Sequence, residues 1–135
     1  MAIQSATPYL ILGGRGRDAI AWYEKALGAT VADLKRFGDV DASCPEARRD
    51  LIMHAELRLG SAVVLLSDGP CEDVPPSGNV SVALQVTDPA VTRRAFDALA
   101  EGGQVIQPLF DSPWGTLFGV VVDRFGISWM FDSVR

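Results

Sequence analysis

The chain has 135 residues, of which 12 are Lys or Arg and 17 are Asp or Glu, so the net charge at pH 7 is −5. A chain of this length can bury a sizeable core in one domain, 1–135, without cross-links. Its basic residues are scattered, which disfavours nucleic-acid binding, because that function usually needs a clustered positive charge. We expect a cytoplasmic protein with no membrane partner, because no apolar run is long enough to span a bilayer and the first residues do not resemble a secretion signal.

The sequence contains one small unit twice. Residues 7–68 predict a strand, a helix and three strands, and residues 79–132 predict the same order after a Pro/Gly/acid-rich linker at 69–78. One such unit cannot cover its own sheet, so pairing two of them buries a shared surface. The predicted fold class is therefore α+β, with two βαβββ modules and a pocket between their curved sheets.

In the first module, strands are predicted at 7–12, 29–37, 50–59 and 62–68, and a helix at 17–27. Gly28 is predicted to end this helix as a left-handed cap. Residues 13–16 (GGRG) are interpreted as a strand-to-helix turn rather than a nucleotide-binding loop, because no acidic partner follows. Residues 38–49 are polar and predict a loop. Along 50–59, alternation places Met53 on the face of Ala55 and Leu57, opposite His54 and Glu56.

In the second module, the pattern predicts strands at 80–86, 104–110, 114–122 and 127–132. Asp88-Pro89 predicts the start of the intervening helix, with Asp88 as its cap. Gly115, Gly119 and Gly126 are predicted to mark positions where the backbone bends or turns.

Several segments resemble those of one known superfamily. Residues 19–28 (AIAWYEKALG) are similar to the helix of the vicinal oxygen chelate superfamily, which includes glyoxalase I, bleomycin-resistance proteins and extradiol dioxygenases. Residues 54–57 (HAEL), 113–115 (PWG) and 123–129 (DRFGISW) resemble its PhnB-like branch. The resemblance implies an open, cupped mixed β-sheet with helices on its outer face, usually in a homodimer. The hydrophobic share of 48% also favours self-association.

The resemblance also indicates where a metal centre would lie. Matched by motif, the four ligand positions fall at Thr7 or Pro8, Leu65, Ser81 and Met130. Divalent metals in such sites need imidazole nitrogen or carboxylate oxygen, and the chain has one His. Neither a bound metal nor another cofactor is therefore expected. Cys44 and Cys71 lack CxxC spacing and are expected to be free thiols.

His54 and Glu56 are the candidate catalytic residues. They are predicted to share a strand face, where two residues can chelate one ion, but Arg58 on that face would repel it. In the alternative interpretation, His54 carries a proton or a hydrogen bond, and Glu56 pairs with Arg58 or a cross-strand neighbour.

Aromatic residues provide the other candidates. Trp22, Trp129 and Phe131 are interpreted as core, whereas Tyr9, Trp114 and Phe118 fit either a core or a ligand cavity. The predicted ligand-binding set combines these rings with scattered polar and apolar groups. Its members are Tyr9, His54, Glu56, Leu65, Ser67, Ser81, Gln85, Trp114, Phe118 and Met130.

Two functions follow from this set. The first is a metal-free, dimeric protein that binds and sequesters a small organic ligand, as bleomycin-resistance proteins do. The second is a divalent-metal-dependent lyase, isomerase or dioxygenase with a rearranged metal site. Metal analysis of the untagged protein distinguishes them.

Overall fold

A computed structural model describes residues 2–70, 74 and 79–135. The chain divides into two compact units, unit 1 (Met1–Val74) and unit 2 (Pro75–Arg135). The main elements of each follow the order strand, helix, three strands, and each unit contains one four-stranded mixed sheet. The predicted α+β class with two βαβββ modules is confirmed. Most of the predicted linker, and Cys71 within it, lie outside the described residues.

Unit 1 forms a sheet with the strand order β1-β4-β3-β2. β1 is parallel to β4, and the other pairs are antiparallel. Gly28, at φ 67°, ends α1 as predicted. The elements are β1 (Tyr9–Ile11), α1 (Gly16–Leu27), β2 (Thr30–Arg36), α2 (Phe37–Val40), a 3-10 turn (Glu46–Arg48), β3 (Ile52–Leu59) and β4 (Ala62–Ser67).

The core of unit 1 lies between α1 and one face of its sheet. Ala19 and Tyr23 of α1 are completely buried, as are Ala55 and Leu57 of β3 and Leu66 of β4. Ala19, Ile20 and Tyr23 recur at helical spacing, so the apolar stripe of α1 is the face that packs on the sheet. Trp22, which was predicted to be core, is only half-buried beside it.

Two irregularities in the pairing of β2 with β3 change which side chains share a face. Between Ala32 and Lys35 an extra residue lies on β2, and between Lys35 and Arg36 an extra residue, Met53, lies on β3. A bulge leaves its extra residue unpaired and redirects side chains. As a result Met53 lines the same cavity as Tyr9, so its predicted place beside Ala55 is wrong.

The segment predicted as a loop at 38–49 contains short helical turns. α2 follows directly after β2, where Asp39 accepts hydrogen bonds from Arg36 Nη2 at 2.7 Å and Nε at 3.0 Å. These bonds, with the positive charge, lower the pKa of Asp39. The free thiol of Cys44 lies in the turn after α2.

Unit 2 has the strand order β5-β8-β7-β6, again with one parallel pair, β5 with β8. Asp88 caps α3 as predicted, because its side chain accepts a hydrogen bond from Ala90 N at 2.9 Å. No described helix is long and apolar enough to cross a membrane. The elements are β5 (Val82–Val86), α3 (Pro89–Ala100), β6 (Gln104–Asp111), β7 (Leu117–Val122) and β8 (Ser128–Ser133).

The core of unit 2 lies between α3 and its sheet. Trp129 and Phe131 are completely buried, as predicted, and the Phe131 ring lies 5.6 Å from that of Phe96 on α3. Gly119 lies within β7, opposite a register irregularity of β6 between Gln107 and Phe110. A Cβ at this position would lie 2.9 Å from the Phe96 ring, so the glycine provides space for the helix.

Trp114 lies outside β7, although the sequence predicts a strand from this residue onward. It occupies a tight turn in which Gly115 N donates to Ser112 O at 3.1 Å. Gly115 has φ 97°, a conformation that favours glycine. The turn therefore holds the indole ring of Trp114 beside the start of β7, and Trp114 is not one of the residues of that strand.

Candidate functional site

A cavity of about 360 Å³ lies in unit 1, on the face of the sheet away from α1. Its volume is within the range of roughly 300–1,000 Å³ that is typical of small-molecule sites. The lining is mainly apolar and aromatic. It comprises Tyr9, Ile11, Phe37, Met53, Ser67, Gly69 and Pro70.

Ser67 provides a hydroxyl at this cavity. It is the last residue of β4, is 7% exposed, and accepts a hydrogen bond from Gly69 N at 2.9 Å. Because the Ser67 oxygen is the acceptor in that bond, its own proton can still be donated to another group. In the structure Ser67 Oγ lies 3.5 Å from Ile52 O, which is long for a hydrogen bond. Ser67 is therefore one polar group in the lining that can orient a ligand, beside the hydroxyl of Tyr9.

Tyr9 connects the cavity to His54. The Tyr9 hydroxyl lies 3.1 Å from His54 Nδ1, and the two rings meet edge to face with centroids 6.0 Å apart. The His54 side chain is 23% exposed. This bond holds the imidazole in one orientation and leaves Nε2 as the nitrogen able to meet another group.

Asp33, His54 and Glu56 form a cluster on β2 and β3. His54 Nε2 lies 3.7 Å from Asp33 Oδ2, and one donor atom from each of the three residues lies within 4.8 Å of the others. Two cations adjoin the cluster, since Lys35 is 3.4 Å from Asp33 and Arg58 is 3.4 Å from Glu56. Their charges neutralise the carboxylates and oppose a divalent ion.

Sequence reasoning missed Asp33. Its backbone φ is 51°, and among the described residues other than glycine it is Asp33 that has a positive φ. Asp33 belongs to the irregular stretch of β2. Asp tolerates this conformation better than most residues. The signal that could have identified it is an acidic residue in the middle of a strand-forming segment.

The positions that correspond to the superfamily's metal ligands do not fit a metal. Leu65 pairs with Tyr9 across β4 and β1, and Met130 lies on β8; a hydrocarbon or thioether side chain is a poor donor to a hard divalent ion. At the first position, Pro8 has no side-chain donor and Thr7 offers a hydroxyl, where such sites use imidazole nitrogen or carboxylate oxygen. Ser81 Oγ is bonded to Ser128 Oγ at 2.6 Å.

Unit 2 brings two of the predicted residues together on the face of its sheet away from α3. The rings of Trp114 and Phe118 meet edge to face at 5.2 Å, and both contact Phe110, at 6.5 and 6.2 Å. Phe118 is directly paired with Asp132, which in turn pairs with Gln85. Phe110 and Asp132 were not among the predicted site residues.

The two βαβββ units indicate a known class of protein. The chain belongs to the glyoxalase/bleomycin resistance protein/dioxygenase superfamily, whose family model matches residues 7–131. The expected membership of the vicinal oxygen chelate superfamily is thus confirmed.

Particular relatives agree with this assignment. Protein YjdN of Escherichia coli K12 is 31% identical over 144 residues, covering 96% of this chain and 95% of YjdN. The crystal structure of protein PA1353 from Pseudomonas aeruginosa matches with a TM-score of 0.83 and 38% identity, over 98% of both chains. A PhnB protein from Bacillus cereus shares the fold, with a TM-score of 0.79 and 19% identity over 97% of this chain and 100% of its own.

Proposed function

We propose that this protein is a metal-free member of its superfamily that binds and sequesters a small organic molecule. The observation that carries the proposal is the cavity of unit 1, which is lined by rings and hydrocarbon groups and offers a hydroxyl at Ser67. Such a site selects its ligand by shape and by one or two hydrogen bonds. The side chains at the superfamily's ligand positions support a site without a metal.

The proposal includes a cytoplasmic homodimer without nucleic-acid or membrane partners. Exposed apolar side chains support self-association; Val105 and Ile106, on the edge strand β6, are 41% and 54% exposed. An edge strand with such side chains is suited to pairing with another copy. Sedimentation velocity should give twice the chain mass of 14.5 kDa, and a monomer would contradict the dimer.

Filling the cavity should weaken ligand binding. We expect Met53→Trp to weaken binding of 2-naphthol, a flat apolar probe with one hydroxyl, by at least about tenfold, which corresponds to about 1.4 kcal/mol. The indole would occupy the volume that the thioether leaves open. Isothermal titration calorimetry measures the dissociation constants.

Val63→Trp is the matched control. Val63 lies on β4, is 37% exposed and does not line the cavity, so its replacement adds the same ring elsewhere in unit 1. This variant should bind the probe as the wild type does. Equal affinities in all three proteins would place binding outside the cavity and contradict the proposal.

A second candidate function is a divalent-metal-dependent lyase, isomerase or dioxygenase with a rearranged site. The cluster of Asp33, His54 and Glu56 favours it, because it offers one nitrogen and two carboxylate ligands, enough for a site with an open position. The orientation of His54 by Tyr9 would also suit metal binding through Nε2.

Elemental analysis of protein purified without a histidine tag decides between the two functions. Under the metal-free proposal, the wild type and a His54→Ala variant should both contain far less than one divalent ion per chain. One ion per chain that is lost in His54→Ala and Glu56→Ala, and kept in the exposed-carboxylate control Asp18→Ala, would support the enzyme instead.

A further inference from the structure

One row of side chains crosses the sheet of unit 2 on the face away from α3. Residues that are directly paired on neighbouring strands project from the same face. Asp132 of β8 is paired with Phe118 of β7, and Phe118 with Phe110 of β6. The alternate residues of β8, including Phe131, are buried on the other face. The row therefore places a carboxylate directly beside two rings.

The Asp132 carboxylate is not satisfied within the described part of the chain. Its Oδ1 atom is buried and has no hydrogen-bond partner there. Burying an oxygen of a charged group without a donor is costly, so such atoms call for a structural or functional explanation. The cation Arg135, three residues further along the chain, donates to Ser112 O at 2.7 Å and lies 3.9 Å from Asp111.

The rings beside Asp132 form a partly open cluster. Phe110, Trp114 and Phe118 meet pairwise edge to face, with interplanar angles of 75° to 90°. Trp114 is 59% exposed and Phe110 is 38% exposed, so a ligand can reach their π-faces. Those faces carry negative electrostatic potential and attract cations.

We propose that this face of unit 2 binds a protonated alkylamine. The ammonium N–H would donate to the Asp132 carboxylate after rotation about its Cβ–Cγ bond, because Oδ1 is buried in the structure as it stands, and the N-alkyl groups would lie against the rings of Trp114 and Phe118. An inorganic divalent ion suits this surface less well, because it needs several oxygen ligands and the neighbours here are hydrocarbon rings. The net charge of −5 also favours a cation over an anion.

The amine proposal rests on residues of unit 2, and it does not depend on the function proposed for the cavity of unit 1. The two sites are distinguished by their probes, since 2-naphthol is neutral and the amine is charged. A failure of one experiment leaves the other unaffected.

A pair of isosteric probes tests the role of charge. 2-(Dimethylamino)ethanol is protonated at pH 7, and 3-methylbutan-1-ol has the same shape without the charge. In amide NMR titrations, the amine should bind at least about tenfold more tightly than the alcohol, a difference of about 1.4 kcal/mol. The shifted resonances should belong to β7, β8 and the turn at Trp114.

Variants test the carboxylate and the rings. Asp132→Asn should weaken amine binding at least about tenfold, and it should not lower the free energy of unfolding, because the carboxylate it replaces is unsatisfied. Asp111→Asn removes the same charge from an exposed side chain and should bind as the wild type does. Phe118→Leu should weaken amine binding several-fold and leave binding of the alcohol unchanged.

Three results would overturn the proposal. They are equal affinities for the amine and the alcohol, an Asp132→Asn variant that binds the amine as the wild type does, and shifted resonances confined to unit 1. If Asp132→Asn does not fold, Phe118→Leu decides, and unchanged amine binding in that variant would be sufficient to reject the site.

Discussion

Replacing Asp68 by Ala is expected to lower the free energy of unfolding by about 4 kcal/mol. The Asp68 carboxylate is 1% exposed and accepts three backbone hydrogen bonds. Oδ1 accepts from Gly14 N at 3.0 Å and Gly16 N at 2.7 Å, and Oδ2 accepts from Ile52 N at 2.7 Å. Truncation would leave the N–H groups of Gly16 and Ile52 buried without their acceptor, and that of Gly14 partly buried. Each buried loss costs about 1–3 kcal/mol.

Asp68 also connects the elements that carry the candidate site. Its hydrogen bonds join the turn between β1 and α1 to the start of β3, so they position both Tyr9 and the bulge at Met53. A Cβ on Gly16 would lie 2.8 Å from Asp68 Oδ1, which explains why a glycine begins the helix. The glycine-rich turn of the sequence is thus a place where the backbone approaches a buried carboxylate.

Urea denaturation measures the effect of Asp68→Ala, with Asp88→Ala as the matched control. Asp88 also accepts a backbone N–H at the start of a helix, but it is exposed and makes one such bond. Its loss should cost about 1 kcal/mol. An Asp68→Ala variant no less stable than Asp88→Ala would show that the three hydrogen bonds contribute little.

Local patterns predicted the elements, because their causes are local. The helical spacing of Ala19, Ile20 and Tyr23 and the positions of Gly28 and Asp88 determine where α1 and α3 lie and where they end or begin. Pairing between strands is not encoded in this way. The bulge that turns Met53 toward the cavity depends on the register of β2 with β3, and strict alternation along one strand cannot reveal it.

The same difference between local patterns and strand pairing explains which features of the candidate sites could be predicted. Tyr9 and His54 were predicted separately, but their contact joins residues 45 positions apart. Asp132 was missed because its significance lies in its neighbour Phe118 and in its missing partner, and both depend on how β8 pairs with β7. Residue type identifies candidates for binding, whereas strand pairing determines which of them act together.

Gly103→Ala is expected to lower the free energy of unfolding by about 3 kcal/mol, although Gly103 is exposed. It connects α3 to β6 and has no positive φ. An added Cβ would nevertheless clash with the backbone carbonyl of Val122 and lie 3.0 Å from the Asp123 backbone. Backbone atoms cannot rotate away as side chains can, so β6 must move relative to β7.

Gly102→Ala is the matched control. A glycine with positive φ is usually expected to be the more costly of two glycines to replace, and here we expect the opposite. Gly102 has φ 75°, and the first contact of its added Cβ is the Arg124 side chain at 3.4 Å. It should therefore cost only the conformational penalty of about 1–2 kcal/mol. Urea denaturation measures the free energies of unfolding of both variants, and a Gly103→Ala variant as stable as Gly102→Ala would contradict the clash.

A displaced β6 would also carry Phe110 away from Phe118, so Gly103→Ala should weaken amine binding as well.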